Sequence, residues 1–152
     1  MILKLQPHIG VGPILLGMRR EEVRTLMSKA GYPLSFERQS LDYFFKSSIQ
    51  TEYQADETVS FIGIASNQEI NLEYLGVDLF SITAYDAFEL ISNLESRTHT
   101  YDDREYLFPD QIITLYDADP QYDHKEIVEQ AVWGQIGLGD QRYLDLCTDL
   151  QG

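Results

Sequence analysis

The composition of this chain is that of a folded and strongly acidic protein. It has 152 residues and a formal net charge of −14, and its ten Tyr, seven Phe and 43% hydrophobic content exclude a disordered acidic tail. The single cysteine, Cys147, cannot form an internal disulfide, and no apolar stretch has the length of a signal peptide core or of a membrane span. We therefore expect a cytoplasmic protein.

The acidic charge is concentrated in the second half of the chain. Residues 1–76 contain 7 Lys and Arg against 9 Asp and Glu, a net −2, whereas residues 77–152 contain 4 against 16, a net −12. Such a field repels nucleic acid and anionic membranes and attracts basic proteins. The charge predicts a basic protein partner and argues against nucleic acid or membrane as one.

The first periodic segment predicts a helix over 19–30. Val23, Leu26 and Met27 recur at helical spacing, and Gly31 marks the helix end. The preceding segment, 9–18, reads as a turn and a short strand.

Alternation with a period of two predicts an antiparallel hairpin over 41–53, turning near 46–48. The odd positions are mostly apolar, so Leu41, Tyr43 and Phe45 are expected to face the core, together with positions 49, 51 and 53. A third strand over 59–65 completes a meander.

The second half repeats this order. An extended connection over 71–81 leads to a capping box at Thr83 and Asp86, followed by a helix with Ala87, Leu90 and Ile91 on its apolar stripe. A hairpin is predicted over 106–116 and a last strand over 127–138, with an acidic loop over 117–126 between them.

The two halves align as an internal repeat. Residues 42–56 match 105–119 without a gap, sharing an acid-Tyr-x-Phe start and an Ile-x-Thr-x-Tyr-x-Ala-Asp end. The helices correspond at an offset of 65, which places Val23 on Phe88. The predicted fold class is α+β, a single domain of two tandem helix-plus-antiparallel-meander repeats, about 9–76 and 77–152. The repeats share one sheet, with the helices packed on one face.

The helix start carries a family resemblance. Residues 12–23 read Gly-Pro-Ile-x2-Gly-Met-x3-Glu-Val, which resembles the opening of the helix-strand repeats in the fold group of beta-lactamase inhibitor proteins. That group includes small lipoproteins of the bacterial outer-membrane assembly machinery, and the resemblance implies the tandem-repeat fold. The chain departs from the group by lacking paired cysteines and a lipidation cysteine near the N-terminus. Its size, acidity and fold also resemble the immunity proteins that neutralise bacterial toxins.

The repeat alignment predicts which side chains of the second hairpin are available for binding. Tyr106, Phe108 and Tyr116, with positions 112 and 114, are expected to face the helices, because their equivalents lie on the apolar side of the first hairpin. The opposite face then joins apolar residues to an acidic rim. The predicted partner-binding surface comprises Trp133, Ile113, Leu115, Leu107, Glu129, Asp102, Asp103, Asp117 and Asp119. The alternative is that a loop or the other half of the chain covers this face.

No catalytic or metal-binding pattern accompanies these residues. His8, His99 and His124 are widely spaced, and the 117–123 loop lacks the glycine and terminal glutamate of a calcium site. We therefore expect no cofactor and no enzymatic activity. The predicted function is a binding protein that occludes a basic partner such as a toxin, with self-association into a homodimer left open. The alternative is a small-ligand-binding or enzymatic domain that uses the concave sheet face, which a deep pocket lined by several Tyr would favour.

Overall fold

Three helices and two β-sheets make up the part of the chain that the computed structural model describes, residues 1–125 and 130–151. This is the α+β class that the sequence predicts. The elements in chain order are β1 (Ile2–Gln6), β2 (Gly10–Val11), β3 (Ile14–Leu15), α1 (Arg20–Lys29), β4 (Leu34–Arg38), β5 (Leu41–Phe44), β6 (Ile49–Tyr53), β7 (Val59–Ala65), β8 (Asn71–Tyr74), β9 (Val77–Asp78), α2 (Ala84–Ser92), β10 (Glu105–Phe108), β11 (Ile113–Asp119), a 3-10 turn (Pro120–Tyr122), β12 (Val132–Gly139) and α3 (Gln141–Gln151). In this part of the chain, no helix combines the length and the apolar composition needed to cross a membrane.

The larger sheet takes strands from both halves of the chain. Its order is β10-β11-β12-β7-β6-β5-β4, and every neighbouring pair is antiparallel. The two halves meet at its centre, where Ile136 of β12 lies opposite Ile64 of β7. The repeats therefore share one sheet, and this sheet separates two faces of the molecule. Of the last predicted strand, 132–138 lies within β12, whereas 127–129 lies outside the described residues.

A smaller sheet, which the sequence did not predict, has the order β3-β2-β1-β8-β9. β1 and β8 pair in parallel, with Leu3 opposite Leu72, although nearly 70 residues of sequence separate them. Leu3, Leu5, Leu72 and Tyr74 are buried in the common hydrophobic core. The sequence indicated only an extended connection for the β8 and β9 region.

Helices α1 and α2 pack on the same face of the larger sheet, the inner face. α1 buries Val23 and Met27, and α2 buries Ala87 and Ile91 at the corresponding positions. The predicted cap of α2 is present, because Thr83 Oγ1 accepts a hydrogen bond from the backbone N–H of Asp86 at 3.1 Å. Helix α3, which the sequence did not predict, lies on the opposite, outer face.

The two hairpins correspond at an offset of 64 residues, one more than the gap-free alignment assumed. Phe44 lies opposite Ile49, and Phe108 lies opposite Ile113, each pair across a loop of four residues. Because side chains alternate along a strand, a shift of one residue moves every side chain to the other face. Ile113 therefore faces the core, whereas Tyr116 faces outward and is 56% exposed.

The first hairpin also departs from the predicted alternation. Asp42 and Phe44 face the core, and the odd positions of β5 do not. The cause is the loop, where Phe45, Lys46 and Ser47 all adopt positive φ angles, between 52° and 64°. Because of this left-handed turn, even positions of β5 and odd positions of β6 face the core. β6 therefore buries 49, 51 and 53 as predicted, whereas β5 buries its even positions.

Candidate functional site

The predicted aromatic centre of the binding surface lies in the core. Trp133 is 0% exposed, and its indole Nε1 donates a hydrogen bond to the carbonyl oxygen of Ala84 at 2.9 Å. Ile113 and Leu115 are buried in the hydrophobic core by the change in offset. The prediction that these three residues contact a partner is therefore wrong, and Trp133 instead holds the start of α2.

The predicted acidic rim is partly brought together. The backbone N–H of Ala118 bonds to the carbonyl oxygen of Asp103 at 2.9 Å, so that Asp102 and Asp103 lie beside the end of β11. The side chain of Asp117 accepts a hydrogen bond from the Tyr122 hydroxyl at 2.9 Å. Asp119 Oδ1 caps the following turn by accepting from Gln121 N at 3.0 Å. Glu129 lies outside the described residues.

The larger sheet and α3 enclose a groove of about 670 Å³ on the outer face. Leu107, from the predicted surface, is half-buried in its wall. The sheet contributes mainly polar and aromatic side chains: Gln50, Glu52, Phe61, Thr114, Tyr116 and Gln135. Helix α3 contributes Tyr143, Leu144, Cys147 and Thr148, and Arg97 and Glu105 also line the groove. This groove, rather than the predicted surface, is the candidate site.

Glycines in neighbouring strands give the groove its floor. A Cβ atom at Gly137 would lie 2.3 Å from Cζ of Phe61, and one at Gly63 would lie 2.6 Å from the side-chain nitrogen of Gln135. Only glycine allows the ring and the amide to lie flat on the sheet. Tyr143 then stacks on Phe61 at a centroid distance of 4.5 Å, which fixes α3 against the sheet.

Glu52 is the least compensated group in the groove. Its side chain is half-buried on a central strand, and burial raises its pKa above the ordinary glutamate value. Its carboxylate forms no hydrogen bond or ion pair with any residue that the structure describes. A carboxylate removed from water without a counter-charge is energetically unfavourable. A cation that entered the groove would relieve this cost.

A second carboxylate acts on the same region. Burial raises the pKa of Tyr143, and the neighbouring Cys147 thiol and the negative charges of Glu52 and Glu105 raise it further. Glu52 and Glu105 therefore both act on the Tyr143 hydroxyl, although they stand on strands β6 and β10. The groove thus carries two carboxylates against one cation of its own, Arg97.

A cluster of charged side chains on the inner face resembles a binding site, but its charges are paired with one another. Asp42 is 0% exposed and accepts hydrogen bonds from Arg20 Nη2, Arg24 Nε and Arg24 Nη2, each at 2.8 Å. Arg24 also pairs with Glu37 at 2.7 Å, and the Arg20 guanidinium lies over the Tyr53 ring at 4.8 Å. Since these groups compensate one another, we assign the cluster a structural role.

The second repeat fills the equivalent place with apolar residues. At the offset of 64, Arg24 corresponds to Phe88 and Asp42 to Tyr106, and these two rings pack edge to face at 4.9 Å. An ion pair in one repeat is thus an aromatic pair in the other. The gap-free alignment concealed this exchange, because it matched Asp42 to Glu105.

A buried carboxylate holds the loop of the second hairpin, which forms one wall of the groove. Glu95, 0% exposed at its side chain, accepts hydrogen bonds from the backbone N–H groups of Asp110 at 3.0 Å and Gln111 at 2.9 Å. The Gln111 amide also donates to it at 3.0 Å. His99 lies 3.6 Å from Glu95 and contacts the Tyr106 hydroxyl through Nδ1. The wall is therefore anchored to the end of α2.

Sequence reasoning found part of this groove. The alternation over 41–53 placed Gln50 and Glu52 on the wet face of the sheet, where they lie. The groove itself required α3, whose short apolar pattern gave little signal. Within the described residues, no group of three or more His, Cys, Asp or Glu is placed to hold a metal ion. Comparison with protein-family models, with curated proteins and with solved structures gives no match for this chain.

Proposed function

We propose that this protein is a non-catalytic, cytoplasmic binding protein that occludes a basic protein partner by taking a cationic segment into the groove between the larger sheet and α3. An inhibitor or immunity protein that neutralises a toxin is the most concrete form of this function. The acidic charge would attract the partner, and the groove would hold it.

The observation that carries the proposal is the uncompensated Glu52 carboxylate. Its burial is unfavourable in the free protein, and an incoming ammonium or guanidinium group would supply the missing counter-charge. A charge-assisted hydrogen bond in such a partly desolvated place is stronger than one at an open surface. The groove therefore favours cations over neutral or anionic groups.

The remaining acidic charge has a different role in the same proposal. Asp102 and Asp103 are exposed and lie beside the end of β11, outside the groove. Exposed charges of this kind raise the rate of association with an oppositely charged partner and are screened by salt. We expect their neutralisation to slow association, and the loss of Glu52 to speed dissociation.

A small-molecule ligand is the second candidate, and the size of the groove favours it. Its volume lies within the range of roughly 300–1,000 Å³ that is usual for ligand pockets. The side chains of two tyrosines line it, Tyr116 and Tyr143. A ligand with a cationic group would use the same Glu52.

The test is affinity purification from the source cell's lysate at low and at high salt. The bait would be the wild-type chain, the groove variant Glu52→Gln with Glu105→Gln, or the control Glu22→Gln with Glu69→Gln. Both pairs remove two negative charges, but Glu22 and Glu69 are exposed outside the groove. We expect a stoichiometric basic protein with the wild type and the control, and its loss with the groove variant.

Two results would contradict the proposal. If both variants lose the partner equally, net charge rather than the groove accounts for binding. If no protein is captured but native mass spectrometry detects a small molecule on the wild type, the ligand-binding alternative replaces it.

A further inference from the structure

We infer that the residue that enters the groove is an arginine, whose guanidinium group pairs with the Glu52 carboxylate. The inference rests on the proposed function and names the chemistry that the groove selects. It concerns the choice between arginine and lysine, because both would supply the positive counter-charge that is missing beside Glu52.

The unpartnered carboxylate of Glu52 favours a group that donates in a plane. Both of its oxygens lack a hydrogen-bond partner among the described residues. A guanidinium presents five N–H donors in one plane and can pair with both oxygens at once. An ammonium group is a compact point charge and does not form this planar two-bond pair. Glu105 is a separate acceptor, because β10 lies four strands from β6 in the sheet.

The shape of the floor also favours a planar group. The Gln135 amide lies flat over Gly63, on the strand next to that of Glu52. It donates to Gln50 at 3.4 Å, which holds it in this position. The Phe61 ring opposite Glu52 is covered by Tyr143, so the amide is the planar surface beside the carboxylate. A planar guanidinium can lie flat against this amide, whereas an ammonium group has no flat face.

The partial burial of Glu52 adds a third reason. A cation must give up much of its hydration to reach a carboxylate at this depth. The guanidinium group is more weakly hydrated than an ammonium group, so arginine loses less on entering the groove. Charge alone does not distinguish arginine from lysine. The hydration that each must lose to reach the half-buried Glu52 does.

The test uses three capped pentapeptides, Gly-Ser-X-Ser-Gly, with arginine, lysine or citrulline at X. Citrulline keeps the planar shape of arginine without its charge. Binding is followed by NMR, from the backbone amide shifts of Gln50, Gly63 and Gln135 during titration. We expect the arginine peptide to bind about tenfold more tightly than the lysine peptide, which is 1.4 kcal/mol, and the citrulline peptide to cause no saturating shifts.

The variants locate the effect. In Glu52→Gln the arginine and lysine peptides should bind equally weakly, whereas in Glu22→Gln the tenfold ratio should remain. Equal affinity of the two peptides for the wild type would overturn the arginine inference and leave the proposed function standing. Shifts confined to Asp102 and Asp103 would overturn it as well. If no peptide shifts the groove amides and the groove variant still captures the partner, both the inference and the proposed function fail.

Discussion

Removal of the buried carboxylate Asp42 should be among the most damaging single changes in this protein. In Asp42→Asn the side chain keeps its size, but it loses its negative charge and one of its two acceptor oxygens. The guanidinium groups of Arg20 and Arg24, whose side chains are 14% and 34% exposed, then remain close together without the carboxylate between them.

The magnitude follows from the burial of the partners. Removing one member of a buried ion pair costs about 3–5 kcal/mol. Because Arg24 keeps access to water and to Glu37, we expect the lower end, about 3 kcal/mol. A loss of 1 kcal/mol lowers the Tm of a chain of this size by about 2–4 °C, so the variant should melt roughly 6–12 °C below the wild type.

The pH dependence gives a second readout. Burial opposes the ionisation of Asp42, but the hydrogen bonds from Arg24 and Arg20 outweigh it, and its pKa lies below the ordinary value of 3.8. The folded chain thus binds fewer protons than the unfolded chain, and the stabilisation is present above that value and is lost as pH falls through the folded pKa. The difference between wild type and variant should therefore be full at pH 7 and shrink below about pH 3.8.

The second repeat supplies the matched control. The triple variant Arg20→Ala, Arg24→Phe and Asp42→Tyr copies the residues 64 positions later, and replacing a buried ion cluster by packed apolar groups is often close to neutral. Urea unfolding at pH 7 should place the triple variant above Asp42→Asn in stability. A loss below 1 kcal/mol for Asp42→Asn, or a triple variant less stable than it, would refute this account of the cluster.

Three further predictions concern the groove and the core. Gly137→Ala should cost about 1–3 kcal/mol in urea unfolding, because its Cβ would lie 2.3 Å from Cζ of Phe61 and displace that ring. A cost below about 1 kcal/mol would contradict this role of the glycine. Trp133→Phe should also cost about 1–3 kcal/mol, because the carbonyl of Ala84 loses its donor. Surface plasmon resonance should show unchanged partner affinity for the folded fraction. A weakened complex would mean that Trp133 does contact the partner. Burial raises the pKa of Glu52, so its own contribution to stability should fall as pH rises from 4.5 through the folded value, and the wild type should lose stability relative to Glu52→Gln over that range. If wild type and variant show the same dependence of unfolding free energy on pH, Glu52 has a compensating partner in the folded protein.

The periodic parts of the fold were predictable because burial depends on spacing. The stripes of α1 and α2 follow from residues such as Val23, Met27 and Ile91. Strand β6 follows from the alternation of positions 49, 51 and 53. What failed was strand parity, and one loop caused it. Phe45 and Lys46 have side chains that ordinarily avoid positive φ, so nothing in the sequence indicated a left-handed turn there.

The site was less predictable than the fold because it depends on two features with weak sequence signals. The short strands of the smaller sheet and the helix α3 have few periodic residues. Trp133 was assigned to the surface because it shares strand parity with Gln135, whereas the facing strand has a left-handed residue at Asp117, φ 57°, and the indole bonds to Ala84 of α2. Glu52 was correctly placed on the wet face, but its isolation from other charges is a property of the folded groove and not of its position in the sequence.

The parallel pairing of β1 with β8 has a consequence for synthesis of the chain. The turn at 7–9 allows β2 to cover one edge of β1 as soon as residue 11 has emerged. The other edge stays open until β8, Asn71–Tyr74, has left the ribosome. During that interval β1 presents free backbone N–H and C=O groups and the apolar side chains of Leu3 and Leu5, which is the kind of edge that other chains can pair with. A nascent chain that has not yet reached β8 therefore exposes an edge at which it can aggregate.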